Sequence, residues 1–355
     1  MNPLAPSRRP VIMAVWLLAA VLAAAGCGGA GEPSAASNPG DLSTGPTTST
    51  STTVPPTSSP TTTVATTTAS SPSTTLATTT TTTAPPPAAG SGLGNGPGRY
   101  EVEIASGGLL RRAIVVVPES VAGPAPLVLV FHGFTRSPEE IEETSGMSAL
   151  AEEHGFVVVY PAGTGFPRRW LSSPAQGDQD VVFVRELVAL VSAAVPVDPG
   201  RVFAAGMSNG GGMAARLACD AADLVAAVGP VAAAYPSGPC EPVLPVAVVA
   251  IHGSADPIVP YEGVGEILPA VEGVVAAWVE RNGCAPDPVV GDVAADVGLR
   301  SWTGCAANAD VVLYRVEGGR HGWPGSGDTS LWGRTTDAVG ASALLWEFFA
   351  AHPRP

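Results

Sequence analysis

The chain has 355 residues, a hydrophobic fraction of 45% and a formal net charge of −14. This acidic balance argues against a nucleic-acid partner and against charge-driven binding to anionic lipid. The chain contains no lysine, which excludes Schiff-base chemistry and a Ser-Lys dyad.

Residues 1–26 have the pattern of a bacterial signal peptide. Arg8 and Arg9 precede an apolar run, 11–25, that is too short to span a bilayer comfortably. The run ends in small residues before Cys27, which resembles a lipobox whose cysteine is lipidated; ordinary signal-peptidase cleavage is the alternative. The arginine pair also leaves twin-arginine export open. We expect a protein on the extracellular face of a bacterial cytoplasmic membrane, held there only by a lipid anchor, or a secreted one.

Residues 27–98 are dominated by Thr, Ser, Pro, Ala and Gly. Such a segment cannot bury enough apolar surface to offset the entropy of ordering it, so it is predicted to be a disordered stalk. Residues 99–355 are long enough for one large core and are predicted to form a single catalytic domain without internal repeats.

In this folded part, Val-rich runs alternate with helical segments. The predicted strands are 100–104, 113–117, 127–131, 156–160, 202–205, 246–251 and 311–316. One helix is predicted from a cap at Ser137 to Gly155, another from Asp180 to a break at Pro196, and a last one from a cap at Asp337. Continuous apolar strands indicate a mostly parallel sheet that is covered on both faces, and the alternation indicates an α/β fold.

The segment Gly206-Met207-Ser208-Asn209-Gly210 lies between a predicted strand and a helix-like run of small residues. A serine in this Gly-x-Ser-x-Gly setting is exposed on a sharp strand-to-helix turn, where flanking side chains would collide with neighbouring elements. The pattern therefore predicts Ser208 as a nucleophile, with backbone N–H groups of the helix N-terminus beside it.

A serine hydroxyl needs a base and a carboxylate that orients the base. His321 follows the last predicted strand in a glycine-rich loop, and Asp256 follows the strand 246–251. Both positions agree with the order Ser, Asp, His of α/β-hydrolases. We predict His321 as the base and Asp256 as the acid, and interpret His132 as a packing and turn residue. The rival acids are Asp287, Asp292, Asp296 and Asp310.

A tetrahedral intermediate needs two N–H donors for its oxyanion. The residue after the nucleophile, Asn209, should supply one from its backbone. The second is predicted to be the backbone N–H of Phe134, in the turn that follows the strand 127–131.

The chain has five cysteines. With Cys27 lipidated, four remain, which in an exported domain indicates two disulfides. Three pairings are possible. We favour Cys219 with Cys240 and Cys284 with Cys305, because each closes a short loop. Zinc is the competing interpretation, but no metal-ligand spacing supports it, so neither a metal nor a cofactor is predicted.

Several motifs together resemble one family. They are His132-Gly133, the segment Asp180-Val181-x-Phe183, Gly206-Met207-Ser208-Asn209-Gly210-Gly211, His252-Gly253-x-x-Asp256-x-x-Val259-Pro260-Tyr261 and His321-x-Trp323-Pro324-Gly325. The chain is similar across its folded part to the polyhydroxybutyrate depolymerase and feruloyl esterase family of α/β-hydrolases. The resemblance implies the α/β-hydrolase fold, with a mostly parallel central sheet and helices on both faces. It also implies Ser208, Asp256 and His321 as the catalytic triad. Arg320 and Gly212 depart from the family pattern.

These features predict an exported serine esterase that acts as a monomer through an acyl-enzyme. No further folded module follows the last predicted helix, which favours soluble feruloyl, acetyl or hydroxyalkanoate-type esters over a solid polymer. Trp170, Tyr261 and Trp323, with Trp332, are candidates for an aromatic wall around the substrate. The alternatives are a peptidase or acyltransferase on the same fold, or a stalked surface binding protein that has lost activity.

Overall fold

The computed structural model describes residues 92–234, 240–265 and 268–355. The predicted signal peptide, Cys27 and nearly all of the predicted stalk lie outside the described residues. The first strand begins at Gly98, one residue before the predicted start of the folded part. None of the helices in the described ranges is long and apolar enough to cross a membrane.

The described strands form one ten-stranded sheet with the order β1-β2-β4-β3-β5-β6-β7-β10-β9-β8. The strands are β1 (Gly98–Ser106), β2 (Leu109–Val117), β3 (Ala125–Phe131), β4 (Val157–Pro161), β5 (Val197–Met207), β6 (Ala227–Val231), β7 (Ala247–Gly253), β8 (Val289–Ala294), β9 (Val297–Trp302) and β10 (Val311–Val316). The six central strands, from β4 to β10, pair in parallel, and antiparallel pairs complete both edges. This is the mostly parallel sheet that the sequence predicts.

Helices cover both faces of the sheet. They are α1 (Pro138–Ser145), α2 (Met147–His154), α3 (Gln179–Ala194), α4 (Asn209–Asp220), α5 (Val271–Arg281) and α6 (Ala341–Ala351). One core combines side chains of α3, α4 and α5 with Leu127 and Leu129 of β3. The other combines α1, α2 and α6 with Val128 and Val130 of the same strand. Successive side chains of β3 therefore enter opposite cores, which explains why a central strand is apolar at every position.

Two predicted helices differ from the structure. The segment predicted as one helix ending at Gly155 is two helices, because Gly146 adopts a left-handed conformation with φ 60° and ends α1. Asp337 does not cap the last helix, which begins at Ala341 after Gly340. The helix α3 ends at Ala194, before Pro196, as predicted.

Candidate active site

Ser208 lies at the turn between β5 and α4, at the carboxyl edge of the sheet. Its backbone has φ 56° and ψ −121°, a conformation that is costly for a residue with a Cβ. The turn is held by hydrogen bonds from Ser208 N to Val231 O at 2.9 Å and from Gly212 N to Ser208 O at 2.9 Å. The sequence predicts this sharp strand-to-helix turn, and the structure contains it.

Glycine is needed on both sides of this serine. A Cβ on Gly206 would lie 2.4 Å from the carbonyl oxygen of Gly210, and a Cβ on Gly210 would lie 2.1 Å from that of Phe131. Both neighbours are backbone atoms, which cannot rotate away as a side chain would. The spacing of the motif thus follows from close backbone packing of β3, β5 and α4.

Asp256 and His321 contact each other directly. The Nδ1 atom of His321 donates to Oδ2 of Asp256 at 2.8 Å. The other carboxylate oxygen, Oδ1, accepts from the backbone N–H groups of Ile258 at 2.8 Å and Val259 at 2.9 Å. The Asp256 side chain is fully buried and that of His321 is 12% exposed. An imidazole oriented in this way by a carboxylate presents Nε2 as a proton acceptor.

A second imidazole reaches the same carboxylate. The Nε2 atom of His252 donates to Val259 O at 2.8 Å and lies 3.4 Å from Oδ2 of Asp256. Burial acts to raise the pKa of Asp256, but hydrogen bonds from His252 and His321 outweigh it and hold that pKa well below its usual value. The carboxyl therefore stays ionised at neutral pH. Sequence reasoning names His252 only as part of a motif shared with the family and misses this contact.

The link between Ser208 and His321 stays a prediction. Among the described residues, the Ser208 hydroxyl does not cap α4 and forms no hydrogen bond, with His321 or with any other group. Contacts of this kind are often long without substrate and tighten in the reacting complex.

The two backbone groups predicted as oxyanion donors have no other partner. In the described part of the chain, the N–H groups of Phe134 and Asn209 donate to no backbone or side-chain acceptor. The turn that carries Phe134 lies against the nucleophile, because a Cβ on Gly133 would be 3.7 Å from Cβ of Ser208. This arrangement leaves both donors available to an anion.

His132 is a structural residue, as the sequence analysis interprets it. Its ring is fully buried; Nε2 accepts from Gly163 N at 3.0 Å, so Nδ1 carries the hydrogen and donates to Gly133 O at 2.8 Å. Burial lowers the pKa of His132 to about 4. The imidazole is therefore neutral at physiological pH and fixes the turn beneath Phe134.

The Asn209 side chain fixes the nucleophile turn to the segment that follows β4. Its Oδ1 accepts from Trp170 N at 2.7 Å, and its Nδ2 donates to Trp170 O at 3.1 Å. Behind this contact, the buried Arg216 donates through Nη1 to Leu171 O at 2.6 Å and to Gly177 O at 2.7 Å. Sequence reasoning did not identify Arg216, whose acceptors are distant in sequence.

The structure does not support the predicted aromatic wall. Trp170, Tyr261 and Trp323 are only 0%, 3% and 1% exposed, so they offer no surface to a substrate in this conformation. Trp170 packs edge-on against Phe131, and the Nε1 of Trp323 donates to Ser342 Oγ at 3.1 Å. Their side chains are core residues, whereas Trp332 is 44% exposed.

The four remaining cysteines form two disulfides, Cys219–Cys240 and Cys284–Cys305. This is the pairing that the sequence analysis favours. Each bond joins residues 21 positions apart, for which the chain-entropy model gives about 3 kcal/mol of stabilisation. Disulfides persist in oxidising compartments, which is consistent with an extracellular protein.

Comparison with known proteins shows similarity to one family of esterases. The family model described as Esterase PHB depolymerase matches residues 110–259, a range that includes Ser208 and Asp256. A protein of Nocardia uniformis subsp. tsuyamanensis named as an esterase, NocK, is 36% identical over 56% of this chain and 66% of its own length. Feruloyl esterase B of Piromyces equi is 28% identical over 59% of this chain and 42% of its own length.

Among solved structures, an acetyl xylan esterase from Aspergillus awamori matches 68% of this chain and 94% of its own chain, with a TM-score of 0.50. At 16% identity this likeness shows the fold alone, which is that of the α/β-hydrolase esterases. The chain spans less than two thirds of the length of the first curated relatives named above.

Together these findings place the chain among proteins similar to carboxylic ester hydrolases. Over residues 110–259 the chain is similar to the esterase PHB depolymerase family, and its curated relatives here are named as esterases and feruloyl esterases. The resemblance inferred from its motifs is thereby confirmed.

Proposed function

We propose that this esterase hydrolyses carboxylic esters through Ser208, His321 and Asp256, by way of an acyl-enzyme. The observation that carries the proposal is the 2.8 Å hydrogen bond from His321 Nδ1 to Asp256, at the same sheet edge as the strained Ser208 turn. An ionised, buried carboxylate stabilises the imidazolium that forms when the base takes a proton.

In the first step, Nε2 of His321 removes the hydroxyl proton of Ser208, and the oxygen attacks the ester carbonyl. The negative charge that develops on the carbonyl oxygen is held by the N–H groups of Phe134 and Asn209. Each such donor contributes about 3 kcal/mol to transition-state stabilisation. His321 then protonates the leaving alcohol and activates the water that releases the acid.

Replacing the nucleophile tests this assignment. Ser208→Ala should lower kcat by about six orders of magnitude, because members of a triad act as one unit. Ser192→Ala, which removes an exposed serine of α3, is the matched control and should keep wild-type turnover. A fluorophosphonate probe should label the wild-type protein and the control but not the Ser208 variant. Unchanged turnover by Ser208→Ala would reject the triad, and an unlabelled, folded wild type would favour an inactive binding protein.

For the substrate, we propose soluble feruloyl, acetyl or hydroxyalkanoate-type esters. The curated relatives support this choice, since one is named a feruloyl esterase. Turnover should be compared across feruloyl, acetyl-sugar, hydroxybutyrate-oligomer and alkyl esters, each beside its matched amide or an acceptor alcohol. Faster cleavage of the amide would indicate a peptidase, and preferred transfer to the alcohol would indicate an acyltransferase.

We also propose that the enzyme is exported and held at the membrane by a lipid on Cys27. The apolar run 11–25 before this cysteine and the two disulfides support export. In a bacterial host, the wild type should fractionate with membranes and the Cys27→Ser variant should be recovered from the medium. Equal membrane retention of both forms would contradict lipidation.

A further inference from the structure

Most of the arginines that the structure describes in this acidic chain pair with a carboxylate, but some do not. Nine of the fifteen that the structure describes lie within 4.0 Å of a carboxylate oxygen. The six without such a partner among the described residues are Arg168, Arg169, Arg281, Arg320, Arg334 and Arg354. Four of these six occupy two loops beside the candidate active site.

The first pair, Arg168 and Arg169, lies on the side of the predicted oxyanion donors. Arg168 O accepts from Thr135 N at 2.8 Å, which ties this loop to the residue after Phe134. The guanidinium Nη1 of Arg168 donates to Arg136 O at 3.4 Å. The guanidinium of Arg169 lies close to Gly165, because a Cβ added to Gly165 would be 3.6 Å from Nη1 of Arg169. Both charges therefore lie on loops that border the turn.

The second pair, Arg320 and Arg334, lies on the side of His321. Arg320 directly precedes the histidine, and its N–H donates to Arg334 O at 3.0 Å. The Nη1 atom of Arg320 donates to Leu331 O at 2.9 Å. The next residue, Trp332, accepts through its carbonyl oxygen from His321 N at 2.9 Å. The guanidinium of Arg320 is therefore held on the turn that contacts the histidine backbone.

Two further features of these loops bear on what they could bind. Phe166 on the first loop is fully exposed, and Leu331 and Trp332 on the second are 69% and 44% exposed. The nearby carboxylate of Asp328 lies beside Gly333 and accepts from Ser330 N at 2.8 Å. It forms no ion pair within the described residues. Cations beside apolar side chains suit an anion that is carried on a hydrocarbon or aryl body.

We propose that Arg168, Arg169, Arg320 and Arg334 form an arginine rim that selects esters carrying a carboxylate on the acyl or the alcohol part. The net charge of −14 opposes such substrates at long range, but ions screen charges beyond about 8 Å at physiological salt. Each guanidinium group of the rim can bind a carboxylate through a planar pair of N–H donors. This inference rests on the proposed esterase function and adds the charge of the substrate to it.

The test uses two isosteric substrates, meta-acetoxybenzoate and its neutral amide, meta-acetoxybenzamide, so that only charge differs. We expect kcat/KM to favour the anion at physiological salt, about 0.15 M, where the distant negative charges are screened. The preference should collapse towards about 1 M salt, as the Debye length falls from about 8 Å to about 3 Å. Arg168→Gln and Arg320→Gln should each reduce the preference about three- to fivefold, since exposed ion pairs contribute modestly, and should act through KM for the anion alone.

Arg99→Gln is the matched control. It changes the net charge equally but lies on β1, where Arg99 pairs with Glu142 at 2.9 Å. This variant should leave the preference intact. Equal kcat/KM for the two esters, or equal losses in the rim and control variants, would overturn the arginine rim while leaving the esterase assignment standing. No turnover of either ester by a folded wild type would instead reject the proposed function.

Discussion

The nucleophile side and the base side of the candidate site are held in different ways. Ser208 is fixed by backbone geometry, with a strained φ of 56° and glycines that admit no Cβ. Asp256, in contrast, is held through its carboxylate, by two backbone N–H groups of its own loop, by the neighbouring His252 and by His321, which lies 65 residues further on. The turn can be recognised from the glycines that flank Ser208 in sequence, whereas the contact between Asp256 and His321 joins residues 65 positions apart. Substitutions on the nucleophile side should therefore impair folding, and substitutions on the base side should impair the chemistry.

After replacement of Ser208 itself, the largest effect is expected on the base side. Asp256→Asn should lower kcat about 10⁴-fold, because an amide stabilises the wrong tautomer of His321 and cannot stabilise its charged form. Folding should persist, since an amide oxygen can still accept from the N–H groups of Ile258 and Val259. The measurement is steady-state hydrolysis together with a urea unfolding curve.

A rival aspartate supplies the control for that experiment. Asp292→Asn, on the exposed strand β8, should retain full activity. If Asp292→Asn abolished hydrolysis while Asp256→Asn did not, the assignment of the acid would be wrong.

The nucleophile side should respond through stability. Gly210→Ala should reduce the free energy of unfolding by at least about 3 kcal/mol, because the new Cβ would lie 2.1 Å from Phe131 O. Gly273→Ala, in α5, is the matched control: nothing lies within 4 Å of its added Cβ, and alanine favours a helix by about 1 kcal/mol. Urea unfolding measures both. Equal stability of Gly210→Ala and wild type would contradict the packing argument.

This division also explains what the sequence could predict. The Ser208 turn, its glycines and the strands β3, β5 and β7 are encoded by neighbouring residues, and their patterns indicated them correctly. The strand β6 was not predicted, because Gly229 and Pro230 interrupt its apolar run although every residue is buried. Such a strand is defined by its neighbours in the sheet rather than by its own composition.

Long-range contacts account for the misinterpreted side chains. Trp170 looks like a candidate for substrate contact, but its Nε1 donates to His132 O at 3.0 Å, 38 residues away in sequence. In contrast, the contact of His252 with Asp256 is local, four residues along the chain, and it forms because the loop after β7 folds back over the strand end. Helix α1 ends before the predicted end at Gly155 because Gly146 adopts a left-handed conformation. The hydrophobic periodicity of the sequence does not reveal such a conformation.

Acid should weaken the nucleophile side through His132. Burial lowers the pKa of this histidine to about 4, whereas the unfolded value is about 6.5. Between these values the unfolded state binds the additional proton, so the free energy of unfolding falls as the pH falls and is constant above the unfolded pKa. The loss should reach about 3 kcal/mol near pH 4.

Unfolding curves at several pH values measure this loss. His132→Gln should flatten the dependence between about pH 4 and 6.5, at a lower stability overall. His154→Gln, at the exposed end of α2, is the control and should keep the wild-type slope. An unaltered slope in His132→Gln would assign the acid sensitivity to other groups.

The smallest expected effect concerns His252 and refines the description of the base side. His252→Phe removes the N–H that lies 3.4 Å from Oδ2 of Asp256, and kcat/KM should fall about tenfold to a hundredfold. His252→Gln places an amide donor near the same position and should restore most of the activity. Activity that fell only in proportion to folded protein would show that His252 acts on stability alone.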